Sequence, residues 1–205
     1  MRLRPILCVA AALLVVASSC KPSSSGPRVF NPDGLTGPTI TPPVPKPDFV
    51  LSTTDGKPFD FRKETAGYVT LLFFGYTHCP DVCPVHMANV AAALAKLGPE
   101  VNGAVKVVFV TTDPARDTPA VIRAWLDKFD PRFIGLTGDS LAILDALKQT
   151  RMGAPTREQA DTTYYVGHAA FVLAFTRDNL AHVVYPFGIR QADWVHDLKL
   201  LVKEG

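Results

Sequence analysis

Two apolar runs constrain this chain more than any other feature. Val69-Thr70-Leu71-Leu72-Phe73-Phe74 and Val105-Lys106-Val107-Val108-Phe109-Val110 are rich in β-branched and aromatic residues and lack the alternation of a half-solvated strand. Strands of that kind are buried on both faces, as in a parallel sheet lying under helices. Between the runs, Met87, Val90, Leu94 and Leu97 recur at helical spacing and predict a helix over 84–97. His86, Asn89, Ala93 and Lys96 fall on another face of it, which the pattern assigns to solvent.

The remaining signals extend that core. Thr118 as N-cap and Pro119 at the first helical position predict a helix over 119–129, and Gly138-Asp139 precedes another at 140–150. Two apolar runs, 170–175 and 181–185, are joined through Arg177-Asp178-Asn179 as a hairpin, and a helix over 191–203 follows. Ahead of the core, Phe49-Val50-Leu51 and Phe59-Asp60-Phe61 flank the turn signal Asp55-Gly56. Strand–helix–strand, then hairpin and helix, is the order of a thioredoxin-like α/β domain. The expectation is a central mixed sheet flanked by helices, with an N-terminal β-hairpin extension, over residues 48–205.

The N-terminus reads as a targeting segment. Arg2 and Arg4 precede a short apolar run over 6–17, too short to span a bilayer and suited to a signal peptide core. Ala17-Ser18-Ser19-Cys20 resembles a bacterial lipobox, although Ala17 stands where that pattern usually has Leu. The division expected is a lipoprotein-type signal at 1–19, then a lipidated Cys20 and a Pro/Ser-rich tether over 20–47. The alternatives are an ordinary cleaved signal or an uncleaved anchor, and, for the tether, an arm packed on the domain. A lipid-anchored protein on the extracytoplasmic, periplasmic face of a bacterial membrane follows. The two N-terminal arginines account for the net charge of +2, and the rest of the chain balances 19 basic against 19 acidic residues. That balance offers no electrostatic case for nucleic acid.

Four cysteines are present, and on this division only Cys79 and Cys83 remain in the folded domain. Both lie in Gly75-Tyr76-Thr77-His78-Cys79-Pro80-Asp81-Val82-Cys83-Pro84, where a buried strand hands over to a helix. Unpaired backbone N–H groups and the helix dipole favour a thiolate there. A helical turn between the two puts their Cα atoms about 6 Å apart, close enough for a disulfide or for a shared metal. Two thiolates are a soft, incomplete site: sulfur favours Cu(I), an added imidazole also suits Cu(II), and Zn(II) with a fourth ligand competes. Five histidines could complete it. His78 adjoins Cys79 and chelates awkwardly, and His86 lies on the polar helix face. His182 and His196 have no neighbouring signal. His168 precedes the strand at 170–175, and in a thioredoxin-like fold that loop rises beside the cysteines. It is the candidate ligand, against the plainer reading of a hydrogen-bonded loop histidine.

Across residues 48–205 the chain resembles the Sco/SenC family of cytochrome oxidase assembly proteins. The run ending Cys79-Pro80-Asp81-Val82-Cys83-Pro84 is similar to that family's Cys-x-x-x-Cys-Pro signature. Thr112-Asp113-Pro114-Ala115-Arg116-Asp117-Thr118-Pro119 is similar to its second motif, and Val166-Gly167-His168 falls where the family places a metal-binding histidine. The resemblance implies a thioredoxin-like fold and a single copper ion, Cu(I) or Cu(II), held by Cys79, Cys83 and His168. It also implies delivery to the binuclear copper centre of cytochrome c oxidase subunit II, or to another copper-receiving protein. Gly167 and Ala169 depart from the acidic and hydroxyl residues the family often has beside the histidine, so another group must orient the imidazole. Asp113 and Arg116 either border the metal loop and meet a partner, or serve only a turn and helix start.

Three readings follow. A copper metallochaperone needs all three ligands. A thiol–disulfide oxidoreductase needs only the cysteine pair, and is the one enzymatic activity the sequence leaves open. A peroxidase would use one cysteine with Thr77 and Arg116 and leaves the second cysteine and His168 unexplained. An inert Cys79–Cys83 staple closes too small a loop to contribute much stability.

Overall fold

The structure, a computed structural model, describes residues 30–204. The signal segment at 1–19 and Cys20 lie outside the described residues. In chain order the elements are β1 (Thr39–Pro45), β2 (Val50–Thr53), β3 (Pro58–Asp60), α1 (Phe61–Glu64), β4 (Val69–Gly75), α2 (Val82–Lys96) and α3 (Pro99–Ala104). There follow β5 (Val105–Thr111), α4 (Pro119–Leu126), β6 (Ile134–Thr137), α5 (Ser140–Gln149), β7 (Thr156–Ala160), β8 (Thr163–Gly167), β9 (Phe171–Phe175), β10 (Leu180–Pro186) and α6 (Gln191–Glu204).

Eight strands form one mixed sheet in the order β1-β10-β9-β4-β5-β6-β2-β3. The two apolar runs are its central parallel pair, in register from Val69–Val105 to Gly75–Thr111. Their side chains alternate between two cores. Val69, Leu71, Phe73, Val107 and Phe109 face α2, α4 and α6, where they meet Met87, Val90, Ile122, Trp194 and Leu198. Leu72, Phe74, Val108 and Val110 face α1 and α5, where they meet Phe61, Ile143 and Leu147. Both faces are packed with fully buried apolar side chains, the burial that drives folding. With β9 and β10 antiparallel beside β4 and helices on both faces, the fold is thioredoxin-like. The hairpin expected around Asp55-Gly56 is present, Leu51 opposing Phe59, and joins the far edge of the sheet through β6. The helix expected over 119–129 ends at Leu126 and continues as turns to Phe129.

The domain begins earlier than position 48. Residues 39–45, expected within the tether, form an edge strand antiparallel to β10. Three prolines disguise it, but an edge strand tolerates prolines because one side of it makes no ladder. Leu35 and Val44 are buried, and the segment before β1 is fastened by a fully buried carboxylate. Asp197 on α6 accepts from Thr36 N (2.8 Å), Thr36 Oγ1 (2.8 Å) and Tyr185 Oη (3.0 Å). Among the described residues no helix is long and apolar enough to cross a membrane.

Replacing Asp197 with Ala strands those donors, each buried unsatisfied group costing about 1–3 kcal/mol. Asp197→Ala should lower the unfolding free energy by at least about 2 kcal/mol and open residues 30–45 to limited proteolysis. Unchanged cleavage in that segment would count against the docked arm.

Candidate metal centre

The strand β4 ends at Gly75, and the chain turns once before α2 begins at Val82. Asp81 caps the helix by accepting from Val82 N at 2.5 Å. Cys83 therefore lies in the first helical turn and Cys79 in the loop above it. The Cys83 backbone N–H, one of the helix's orphan donors, points at Cys79 Sγ (3.4 Å). Gly75 lets the pair sit this low. A Cβ there would lie 2.8 Å from Cys83 Sγ and 2.8 Å from the Phe73 ring, so any side chain would drive the sulfur out.

Asp117 anchors the loop from below. This fully buried carboxylate accepts from Thr77 N (3.0 Å), Thr77 Oγ1 (2.6 Å) and Thr111 Oγ1 (2.7 Å), tying the cysteine loop to the end of β5. The sequence pattern did not single it out. Its signal was its place two residues before the α4 N1 proline, where a carboxylate can reach back to a strand end.

His168 arrives from the other side, in the link between β8 and β9. Its Nε2 lies 3.3 Å from Cys83 Sγ, and its Nδ1 lies 3.1 Å from the Ala169 carbonyl. A carbonyl only accepts, so Nδ1 carries the proton and the Nε2 lone pair faces the sulfur. The imidazole is thus oriented by donating to the backbone carbonyl of the next residue, in place of side chains at 167 and 169. The edges of Phe73 and Tyr76 complete its seat, with ring centroids 5.8 and 5.6 Å away. At position 167 a Cβ would crowd only Thr156 Oγ1, 2.4 Å away across the hairpin, a contact that rotation of that exposed threonine relieves. Cys79, Cys83 and His168 bring their ligand atoms within 4.8 Å of one another, the one such group among the described residues.

The two sulfurs differ electrostatically. The hydrogen bond from the Cys83 thiol, reinforced by backbone N–H groups, holds the Cys79 thiol down at about 4 despite its partial burial. Burial pushes the Cys83 thiol far up, and the adjoining Cys79 thiolate adds to that rise. The pair shares one proton, leaving a thiolate at the half-exposed position and a thiol at the buried one.

The other histidines are engaged elsewhere. His78 is exposed and turned toward Thr77 and Asp117. His182 pairs with Asp178 (2.6 Å) and His196 with Asp197 (2.8 Å). His86 was expected on a solvated helix face and is instead buried, 3% exposed, against Phe73 and Phe187. Its Nε2–H donates to the Ala170 carbonyl (3.3 Å), and burial lowers its pKa. The periodicity failed because α2 is covered on two sides, by the sheet and by α6, so its buried stripe is wider than one face. Ala93, two turns on from His86 and fully buried, carried that signal. Asp113 is fully buried and Arg116 lies beside it. Both turn toward the β7–β8 hairpin and neither touches the three ligands.

The SCO1/SenC family profile matches residues 39–203. The mitochondrial SCO1 homolog 1 of Arabidopsis thaliana is 36% identical over 121 residues, covering 59% of this chain and 36% of that protein. The chain thus spans little more than a third of that curated relative's length. Among solved structures, Bradyrhizobium japonicum ScoI with copper bound is 32% identical, with a TM-score of 0.69, covering 76% of this chain and 98% of that one. Yeast Sco1 with copper bound is 26% identical, with a TM-score of 0.69 over 82% of this chain and 91% of that one.

The split between the sulfurs is measurable by mass-mapped alkylation of the reduced, metal-free chain. Because the Cys79 pKa is depressed, its thiolate persists until pH falls through about 4. Iodoacetamide should label Cys79 at a nearly constant rate from about pH 8 to about pH 5, with Cys83 protected. A rate that climbs with pH toward the ordinary thiol value of about 8.5 would contradict the assignment.

Proposed function

Because the chain belongs to the SCO1/SenC family, we propose that it is a copper metallochaperone, holding one copper ion as cargo through Cys79, Cys83 and His168. The observation that carries this reading is the convergence of two sulfurs and an imidazole nitrogen within 4.8 Å at one loop–helix junction. Two sulfurs favour Cu(I), and the imidazole widens the range to Cu(II). The Cys79 thiolate is the ready first ligand. Cys83 gives up its proton as the metal arrives, and Nε2 of His168 supplies the third ligand without losing a proton. The half-exposed Cys79 and His168 leave the metal open to a receiving protein's thiolates, so cargo leaves by ligand exchange rather than by unfolding.

The receiver proposed is the binuclear copper site of cytochrome c oxidase subunit II, or another extracytoplasmic copper protein of similar chemistry. A lipid on Cys20 and the segment ahead of residue 30 would hold the domain on the periplasmic face of a bacterial membrane. What supports this is the signal-like N-terminus and the family. A second reading is favoured by the depressed Cys79 thiol. Its thiolate attacks a partner's disulfide, Cys83 resolves the mixed disulfide, and the chain ends with a Cys79–Cys83 disulfide while the partner gains two thiols. Such a step could prepare the site that copper later fills.

Anaerobic copper titration of the reduced chain, with metal quantified after desalting, tests the chaperone reading. About one copper per wild-type chain is expected, weakened at least about 10-fold in Cys79→Ser, Cys83→Ser and His168→Ala, since each removes a ligand. A wild type that keeps no copper yet reduces a model disulfide would transfer the assignment to the oxidoreductase.

A further inference from the structure

The hairpin that delivers His168 is not part of the main sheet. β7 and β8 form a separate two-stranded ladder, register Thr156–Gly167 to Ala160–Thr163, with no strand pairing to the other eight. β7 is almost wholly exposed, and on β8 only Val166 is fully buried. Neither backbone ladder nor apolar burial fixes such an element firmly, yet His168 directly follows its last residue.

A polar cluster supplies the missing attachment. Arg116 Nη1 donates to the Tyr164 carbonyl (3.0 Å) and to Thr163 Oγ1 (3.2 Å), and its guanidinium lies 3.6 Å from the centre of the Tyr164 ring. Arg116 Nε donates to Asp113 Oδ2 (2.5 Å), while Tyr164 Oη donates to Asp113 Oδ1 (2.8 Å). Arg157 of β7 covers the same tyrosine ring and approaches Asp113 at 3.5 Å. On its other side the Arg116 guanidinium lies 5.7 Å from the Tyr76 ring, whose edge seats His168. Asp113 and Arg116 thus meet the ligand by two routes, through β8 and through Tyr76. Asp113 is itself fixed, because its backbone N–H donates to Thr111 Oγ1 (2.9 Å) at the end of the central strand β5.

We infer that Asp113, Arg116 and Tyr164 are positioning residues: a clasp that pins the β7–β8 hairpin to the end of β5 and so fixes where His168 presents Nε2. Tyr164 lies four residues before His168, a lever of about 13 Å in extended chain, so small rocking at the clasp moves the ligand far more than bond-length tolerance allows. The inference rests on the copper-site reading and adds the residues that hold that site's third ligand in register with the sulfurs.

The test uses the full chain with Tyr164→Phe, which keeps the ring and removes only the hydroxyl, and Arg116→Lys, which keeps the charge and removes the fork. Amide hydrogen exchange is measured on the metal-free protein, and copper retention against a competing chelator. Each variant should speed exchange over 163–167 by about 10-fold, the effect of losing one net-stabilising hydrogen bond, with β4 and β5 unchanged. Copper retention should weaken by about 10-fold, and this loss should vanish when the same substitution is made on a His168→Ala background. Unchanged exchange in the hairpin overturns the clasp. So does a copper loss that persists in full without His168, because the substitutions would then act on the sulfurs or on the whole fold. If Arg116→Lys does not fold, Tyr164→Phe carries the comparison alone. A wild type that binds no copper would remove the metal reading, and the exchange arm would still decide whether these residues hold the hairpin.

Discussion

The meeting of Gly75 and Cys83 governs the geometry around it. With no side chain at the end of β4, the first turn of α2 settles directly onto the strand, and the Cys83 sulfur is buried where a Cβ would otherwise stand. Everything around the centre follows from that depth. The buried sulfur keeps its proton, and its hydrogen bond makes a thiolate of Cys79 one turn above. The helix N-terminus adds its orphan N–H to the same sulfur. One strand end, one helix start and one glycine thus give two cysteines opposite protonation states.

The imidazole reaches this junction from a part of the fold with little stability of its own. Its hairpin is short, polar and outside the main sheet. Beyond the clasp on that hairpin, His168 has local supports: a backbone hydrogen bond at Nδ1, two aromatic rings, and the His86 contact to Ala170 two residues on. Rigid sulfurs on a buried strand–helix junction and a nitrogen on a peripheral hairpin form an asymmetric site. On the chaperone reading this division suits cargo handling, since the nitrogen can be lost or gained without disturbing the core.

Legibility in the sequence tracked burial. The strands β4 and β5 were plain because both of their faces are covered, which confines polar residues within the two runs to Thr70 and Lys106 at their starts. The two cysteines were plain because that run stops at a turn and a proline-bearing helix start. The hairpin β7–β8 was invisible because Thr156-Arg157-Glu158-Gln159-Ala160 is solvated on both faces and carries no periodicity. β6 was hidden by its length, four residues including Gly135, and β1 by its prolines. His168 was reached through the fold and the family resemblance rather than through its neighbours. His86 was misassigned because one helical stripe was taken as the whole buried surface of a helix that is packed on two sides. Asp117 escaped notice because Thr77, the partner that ties it to the cysteine loop, is distant in sequence and becomes its neighbour only when β4 and β5 pair.

The most direct measurement is copper-edge X-ray absorption on the Cu(I)-loaded, reduced chain, compared with His168→Ala. The account requires a mixed shell of two sulfurs and one nitrogen, with the nitrogen contribution absent from the variant. A shell of sulfur alone, or a nitrogen that survives the loss of His168, would contradict it.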